Sequence, residues 1–320
     1  MGIFGHLFGH GRNEDIPGLL PAIDRAISAV EPLLKQTGGY PEIYRKPVAT
    51  ALKYARSLAA SIPGPVEVNR ESYASDPFVH SLFPSIDYVQ DAFLASRALQ
   101  DHYREYSPAD KLYALMGMRR FEKTVTGMEL SGQTIQRDVI QNVVYFTSHT
   151  LEDLAPSENQ SRDQAAWSFF DSLVGKVRKR VEARKQDKQS QMQQKDSLAA
   201  RLRTADAQTR PALEEELSKI IASIQSITNL LELRNYIEDF EAVLLNPEKH
   251  LRLNRIPMVL DRMGIRQDSG DTSGEGSTIT FNELIGFDRR DWTVTMVYCS
   301  NIPIESFATR LDKACRELSI

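Results

Sequence analysis

SRDQAAWSFFDSLVGKVRKRVEARKQDKQSQMQQKDSLAARLRT, residues 161 to 204, is followed after a short break by PALEEELSKIIASIQSITNLLELRNYIEDFEAVLLN, residues 211 to 246. The stretch reads as two long helices folded back on each other. Ser161-Arg162-Asp163-Gln164 has the form of a capping box, a hydroxyl followed three residues later by Gln. The first arm then carries Phe170, Leu173, Val177 and Val181 at steps of three and four, the spacing of one helix face. The break is placed at Thr204–Pro211, where Asp206 or Thr209 can cap and Pro211 suits a first turn. In the second arm Leu213, Leu217, Ile220, Ile224, Ile227 and Leu231 alternate steps of four and three, as in a coiled-coil seam. The seam then drifts to Leu233, Ile237, Phe240 and Leu244, and Asn246-Pro247 stops it. At 1.5 Å per residue the arms are about 65 and 54 Å long.

The two arms do not match. With the turn centred near Ala207, Phe170 faces Leu244, Val174 faces Phe240 and Val177 faces Ile237 at the base. Further out, Ile220, Ile224 and Ile227 face Gln194, Ser190 and Asp187, and from Glu182 to Ser197 only Ala183 and Met192 are apolar. A polar strip cannot cover an isoleucine ridge, and each exposed Ile forgoes roughly 1.5–3 kcal/mol of burial. Ile220, Ile224, Ile227 and Leu231 are therefore the expected interaction surface. The partner is a protein or a second copy of the chain, met through residues 213–231.

Outward from this stretch, the expected fold is mainly α with a small β component. It is an α+β chain whose long antiparallel helical hairpin is inserted between two β-hairpin-containing halves. Residues 1–15 form a flexible tail and 16–155 a helical body with a β-hairpin. Residues 161–246 form the long hairpin, and 250–320 a small α+β segment packed on 16–155. Leu19, Leu20, Ile23, Ile27, Val30 and Leu34 trace one helix face, and Val48, Leu52, Ala55, Leu58 and Ile62 another. Ala109–Met118 and Ile256–Met263 are read as short helices, and Pro303 as the opening of a last one. Two stretches switch to the alternating, β-branched pattern of strands: Lys123–Leu130 with Thr134–Phe146, and Thr278–Phe287 with Trp292–Cys299. Glu129-Leu130-x-Gly132 and Glu283-Leu284-x-Gly286 make the two resemble each other. A lone hairpin is marginal in water, so the two are expected to share a sheet.

A net charge of −4 gives no global attraction to nucleic acid or an anionic membrane. The only cysteines are Cys299 and Cys315, and no run of eighteen apolar residues occurs. Reduced thiols in the cytoplasm are the expectation. Membrane contact is at most peripheral, through the short amphipathic residues 1–8.

Candidates for chemistry are sparse. His102-x-x-Glu105 and His149-x-x-Glu152 would, on helices, place two metal ligands on one face. Both are weak candidates, since solvated or capping side chains account for them better. A basic run holds Lys176, Arg178, Lys179, Arg180, Arg184 and Lys185, a conceivable nucleic-acid or lipid patch. It lacks interleaved aromatics, and Glu232, Glu238, Asp239 and Glu241 stand at the same height on the facing arm. Mutual neutralisation is the expectation, and nucleic acid is not an expected partner. Arg137-Asp138 and Arg290-Asp291 read as solvated hairpin shoulders. No phosphate loop, nucleophile elbow or Cys-x-x-Cys pair occurs, so no catalytic residue and no cofactor is implied. The leading expectation is a non-enzymatic interaction or scaffold protein acting through its hairpin. A metal-dependent enzyme of the helical body, or an adaptor using the basic run, is the alternative.

Overall fold

The computed structural model describes residues 16–94, 96–105, 111–131, 134–267, 276–287 and 291–300. The expected foot at residues 1–8, Arg290, the helix from Pro303 and Cys315 lie outside them. Helices α1 (Leu19–Val30) and α2 (Glu42–Ser61) come first. The two-residue strand β1 (Val66–Glu67) precedes four short helices, α3 (Arg70–Ser75), α4 (Pro77–Leu82), α5 (Ile86–Leu94) and α6 (Arg97–Glu105). Two long strands follow, β2 (Lys111–Ser131) and β3 (Thr134–Ala155), then α7 (Glu158–Thr204), α8 (Arg210–Leu230) and α9 (Tyr236–Leu244). Strands β4 (Arg252–Leu260), β5 (Ser277–Ile285) and β6 (Trp292–Ser300) complete the described chain.

The expectation of a mainly α chain with a small β component is overturned. The described residues form a mixed α/β molecule with a curled, half-barrel sheet of six strands and a long helix. The sheet runs β3-β2-β6-β5-β4, with β1 parallel to β6. Two segments read as helices are strands: Ala109–Met118 overlaps β2, and Ile256–Met263 overlaps β4. For the first of these the reason is burial on both faces. Leu112 and Ala114–Met118 are all buried, so the segment shows a continuous run of Leu, Ala and Met in place of alternation. The two hairpins do join in one sheet, because β2 pairs with β6 from Lys111↔Ser300 to Met118↔Thr293.

The chain divides into two compact units, Met1–Ser57 with Ala166–Arg252 and Leu58–Ala165 with Leu253–Ile320. The first is helical. Its buried side chains include Ile23 and Ile27 of α1, Tyr44 and Val48 of α2, Phe170 and Val177 of α7, and Phe240 of α9. The break between α7 and α8 falls where expected, and the Asp206 carboxylate accepts from the backbone N–H of Thr209 (2.8 Å). The second arm is not continuous. Residues 231–235 interrupt it between α8 and α9, where the apolar seam changes step, and Asn235 Nδ2 donates to Asn229 O (2.6 Å).

The second unit holds the sheet. Helix α7 opens there at Glu158, not at Ser161. Ser157 is the capping hydroxyl, accepting from Gln160 N (3.4 Å) and donating to Gln160 Oε1 (3.2 Å). Ser161 is buried and donates to Asp153 O (2.7 Å). Arg162 closes the end of α2 by donating to Ala59 O (2.8 Å), Ile62 O (3.0 Å) and Gly64 O (3.1 Å). At Gly64 any side chain would collide with the Met296 carbonyl. This lets Pro63 O accept from Met296 N (2.8 Å) and lays β1 along β6. Between Tyr113↔Ala155 and Ser131↔Thr134 the ladder shifts register three times. Beside the shifts stand Asp138, Ser148 and Asp153, all on β3 and all with positive φ. Each is an extra residue of β3, a bulge that adds local twist.

Candidate interaction site

The base of the helical hairpin is closed by charge as well as by apolar packing. On α9 the buried face reads Tyr236, Asp239, Phe240, Val243, Leu244, so a carboxylate occupies an apolar position. Asp239 is fully buried. Arg180 Nε donates to its Oδ1 (3.1 Å), and Arg184 Nη1 donates to its Oδ2. The two arginines stand one turn apart on α7 and so reach one acceptor from the same face. Tyr44 packs edge-on against Phe240 with centroids 5.0 Å apart.

This clamp accounts for part of the basic run. Arg178 pairs with Glu182 (2.6 Å) and Lys185 with Glu31 of the loop after α1 (3.1 Å). Lys176 also holds an interaction, and Lys179 is exposed. Of the acidic residues expected opposite, Asp239 receives the arginines, whereas Glu232 pairs with Arg234 of its own segment. The sequence signal for Asp239 is its position: it is the single charged residue in the i, i+3, i+4, i+7 pattern that starts at Tyr236.

Beyond the clamp the packing thins. Between residues 185 and 226 Leu198 alone is buried. Of the four ridge residues, Ile227 is buried within its own chain, while Ile220, Ile224 and Leu231 are half-buried. Ile221, which the seam reading did not include, is 41% exposed, and Met192 on the facing helix is 43% exposed.

The two His-x-x-Glu pairs separate. His102 and Glu105 lie on α6, and each holds an interaction. His149 and Glu152 lie on β3, not on a helix. His149 Nε2 donates to Leu82 O (2.8 Å), and the ring stacks on Phe83 with centroids 4.8 Å apart. Burial pulls the His149 pKa down, against a smaller upward pull from that carbonyl. Burial raises the pKa of Glu152. Among the described residues no group of three His, Cys, Asp or Glu could hold a metal ion. The Cys299 thiol is buried, contacts Val68 O (3.5 Å) and has its pKa pushed up by desolvation, which suppresses the thiolate a nucleophile needs.

In the sheet unit a cleft of about 460 Å³ is lined by Arg70, Tyr73, Asp76, His80, Asp261 and Arg262, among others. Its acids already hold backbone N–H groups, Asp76 that of Phe78 (2.8 Å) and Asp261 those of Met263 and Ile265 (2.8 Å each). The two nitrogens of His80 face Tyr73 O (3.1 Å) and Arg262 O (3.0 Å). These groups build turns, and the Ser75 hydroxyl in the lining donates to Glu71 O (2.8 Å), not to the histidine. Among the described residues no helix is long and apolar enough to cross a membrane. Comparison with protein-family models, curated proteins and solved structures returns no match.

Proposed function

We propose that the chain is a non-enzymatic interaction protein whose binding element is the distal helical hairpin, and that its partner there is a second copy. The observation that carries this is the thin packing between residues 185 and 226, beside a half-buried Ile220 and Ile224. Two antiparallel helices bury one stripe each and leave the flanks of that stripe wet. Two such hairpins side by side make a four-helix bundle and close it. A twofold axis near Ile224 brings the same residues together from both chains. A cytoplasmic setting belongs to this reading, since Cys299 is a free buried thiol. The metal-dependent alternative has less support, because one of its two residue pairs lies on a strand.

The test is light scattering of the purified chain across micromolar concentrations, with Ile220 and Ile224 both changed to Ser. Ile227 is left intact because its own chain buries it. The expected result is a wild-type dimer and a monomeric variant of unchanged helix content by circular dichroism. A wild-type chain that stays monomeric throughout the range sinks the proposal.

A further inference from the structure

Strand β2 pairs with β6 only as far as Met118, yet its pairing with β3 continues to Ser131. Past Met118 the two strands form a ribbon, and successive residues point to opposite faces. One face carries Arg119, Phe121 and Lys123 on β2, with Tyr145 opposite Phe121 and Val143 opposite Lys123. Phe121 is 36% and Tyr145 41% exposed, and their rings stack at 5.6 Å with planes 19° apart. The Arg119 guanidinium lies over Phe121 at 5.2 Å. Lys123 is exposed. The other neighbours on this face are neutral: Gly117, Val125, Val139, Gln141, Thr147 and Thr150. Glu122 belongs to the opposite face, where Arg120 and Arg266 pair with it. Charge is thus sorted, with carboxylate and its partners on one face and cations beside exposed rings on the other. Next to the ribbon, the Trp292 ring lies 3.4 Å from where a Cβ on Gly117 would stand.

We infer that this face of the β2–β3 ribbon is a binding platform for single-stranded nucleic acid. Exposed rings on adjacent strands offer flat surfaces to unstacked bases, and flanking cations meet the phosphates. A duplex does not fit this chemistry, because its bases are already stacked. A protein partner is less favoured because of Lys123, since lysine is depleted in the cores of protein interfaces, whereas arginine and aromatic residues serve both kinds of surface. The net charge of −4 supplies no long-range attraction, so binding rests on this local face and shows at low salt.

The experiment is fluorescence anisotropy of the full chain with a labelled oligothymidine of about 16 nucleotides, long enough for a typical single-strand site. A duplex of the same length is run in parallel. The expected result is saturable binding of the single strand at low salt, weaker binding of the duplex and weakening as salt is added. Phe121→Ala with Tyr145→Ala should reduce affinity by about tenfold or more, as loss of base stacking does. Lys123→Glu should weaken binding several-fold, and its exposed position leaves folding intact. No saturable binding at low salt, equal binding of duplex and single strand, or unchanged affinity in the Ala pair overturns the inference. Should the Ala pair misfold by circular dichroism, Lys123→Glu decides, and an unchanged affinity there overturns it as well.

Discussion

Two long antiparallel hairpins dominate the molecule, one of helices and one of strands, and both are packed at the base and bare toward the tip. They tolerate bareness for different reasons. A helix satisfies its own backbone hydrogen bonds, so the distal half of α7 and α8 sacrifices only apolar burial when it leaves the core. A ribbon does not. Past Met118 the outer edge of β2 has no described strand beside it, and open edges invite pairing with other chains. The helical hairpin is therefore anchored by one strong polar clamp and left long. The ribbon is bent by bulges on β3, where Asp138, Ser148 and Asp153 take positive φ. Bulges of this kind turn an edge away from neighbours.

The largest effect should come from breaking the helical base. Changing Arg180 and Arg184 together to Ala leaves the Asp239 carboxylate buried and uncompensated, at a cost of about 3–5 kcal/mol. Asp239→Asn should cost less, because both arginines keep some access to water, with 47% and 22% side-chain exposure. Urea denaturation of the three proteins checks the order. If the arginine pair costs under about 1 kcal/mol, as exposed ion pairs do, the base is held by packing alone and the contrast with the tip weakens.

How far each hairpin can be read from sequence follows from the same physics. The end of α7 at Thr204 and the start of α8 after Asp206 are local, set by a carboxylate and Pro211, and were legible. Strands β5 and β6 were legible because turn residues frame β-branched runs. The first half of β2 was not, since burial on both faces erases its period. The far half of β3 was not, because each bulge reverses the alternation that identifies a strand. Within the candidate site, the ridge residues were legible as a seam. That Ile227 is covered within the chain is a long-range outcome, which no local pattern reports, whereas the burial of Asp239 is foreshadowed by its place on the apolar face that starts at Tyr236. The cationic aromatic face was not legible, because Phe121 and Tyr145 are neighbours only through the β2–β3 register.

The ribbon base supplies the next test. His149 anchors β3 by donating to Leu82 O, and burial holds its pKa below the ordinary 6.5. As pH falls through about 6.5 the unfolded chain takes up this proton before the folded one does, so folding stability falls. Glu152 acts in the opposite sense. Its raised folded-state pKa makes the folded chain the better proton acceptor, so it gives back stability at lower pH, around and above its ordinary 4.5. His149→Phe removes the titration but orphans the Leu82 carbonyl, which costs about 1–3 kcal/mol. The expected pattern is a variant less stable than wild type at neutral pH, with the gap narrowing from about pH 7.5 to pH 5.5. Thermal melts followed by tyrosine fluorescence read it. A gap that stays constant with pH would mean that His149 does not act as a neutral strut.

The smallest effect lies near the ribbon tip, at Asp138. Its φ is 60°, and it stands between Val139↔Gly127 and Arg137↔Met128, where the register shifts. Left-handed backbone costs most L-residues about 1–2 kcal/mol, and Asp less because its short side chain bonds locally. Glycine carries no such penalty but adds freedom to the unfolded chain. Those two terms nearly cancel, so Asp138→Gly should change stability by only a few tenths of a kcal/mol. Asp138→Val should cost about 1 kcal/mol or more, since a β-branched residue is the least suited to this conformation. Alternatively the Val variant escapes the strain by removing the bulge, and that outcome is visible. A slip of one residue would exchange the faces of everything beyond position 138. Amide hydrogen exchange over residues 121–127 and 139–145 separates the two responses. Uniformly faster exchange with an unchanged pattern means strain at a retained bulge, whereas a changed pattern of protected amides means a slipped register. Retained stability with an unchanged pattern would show that φ at Asp138 is not what holds the ribbon in its bend.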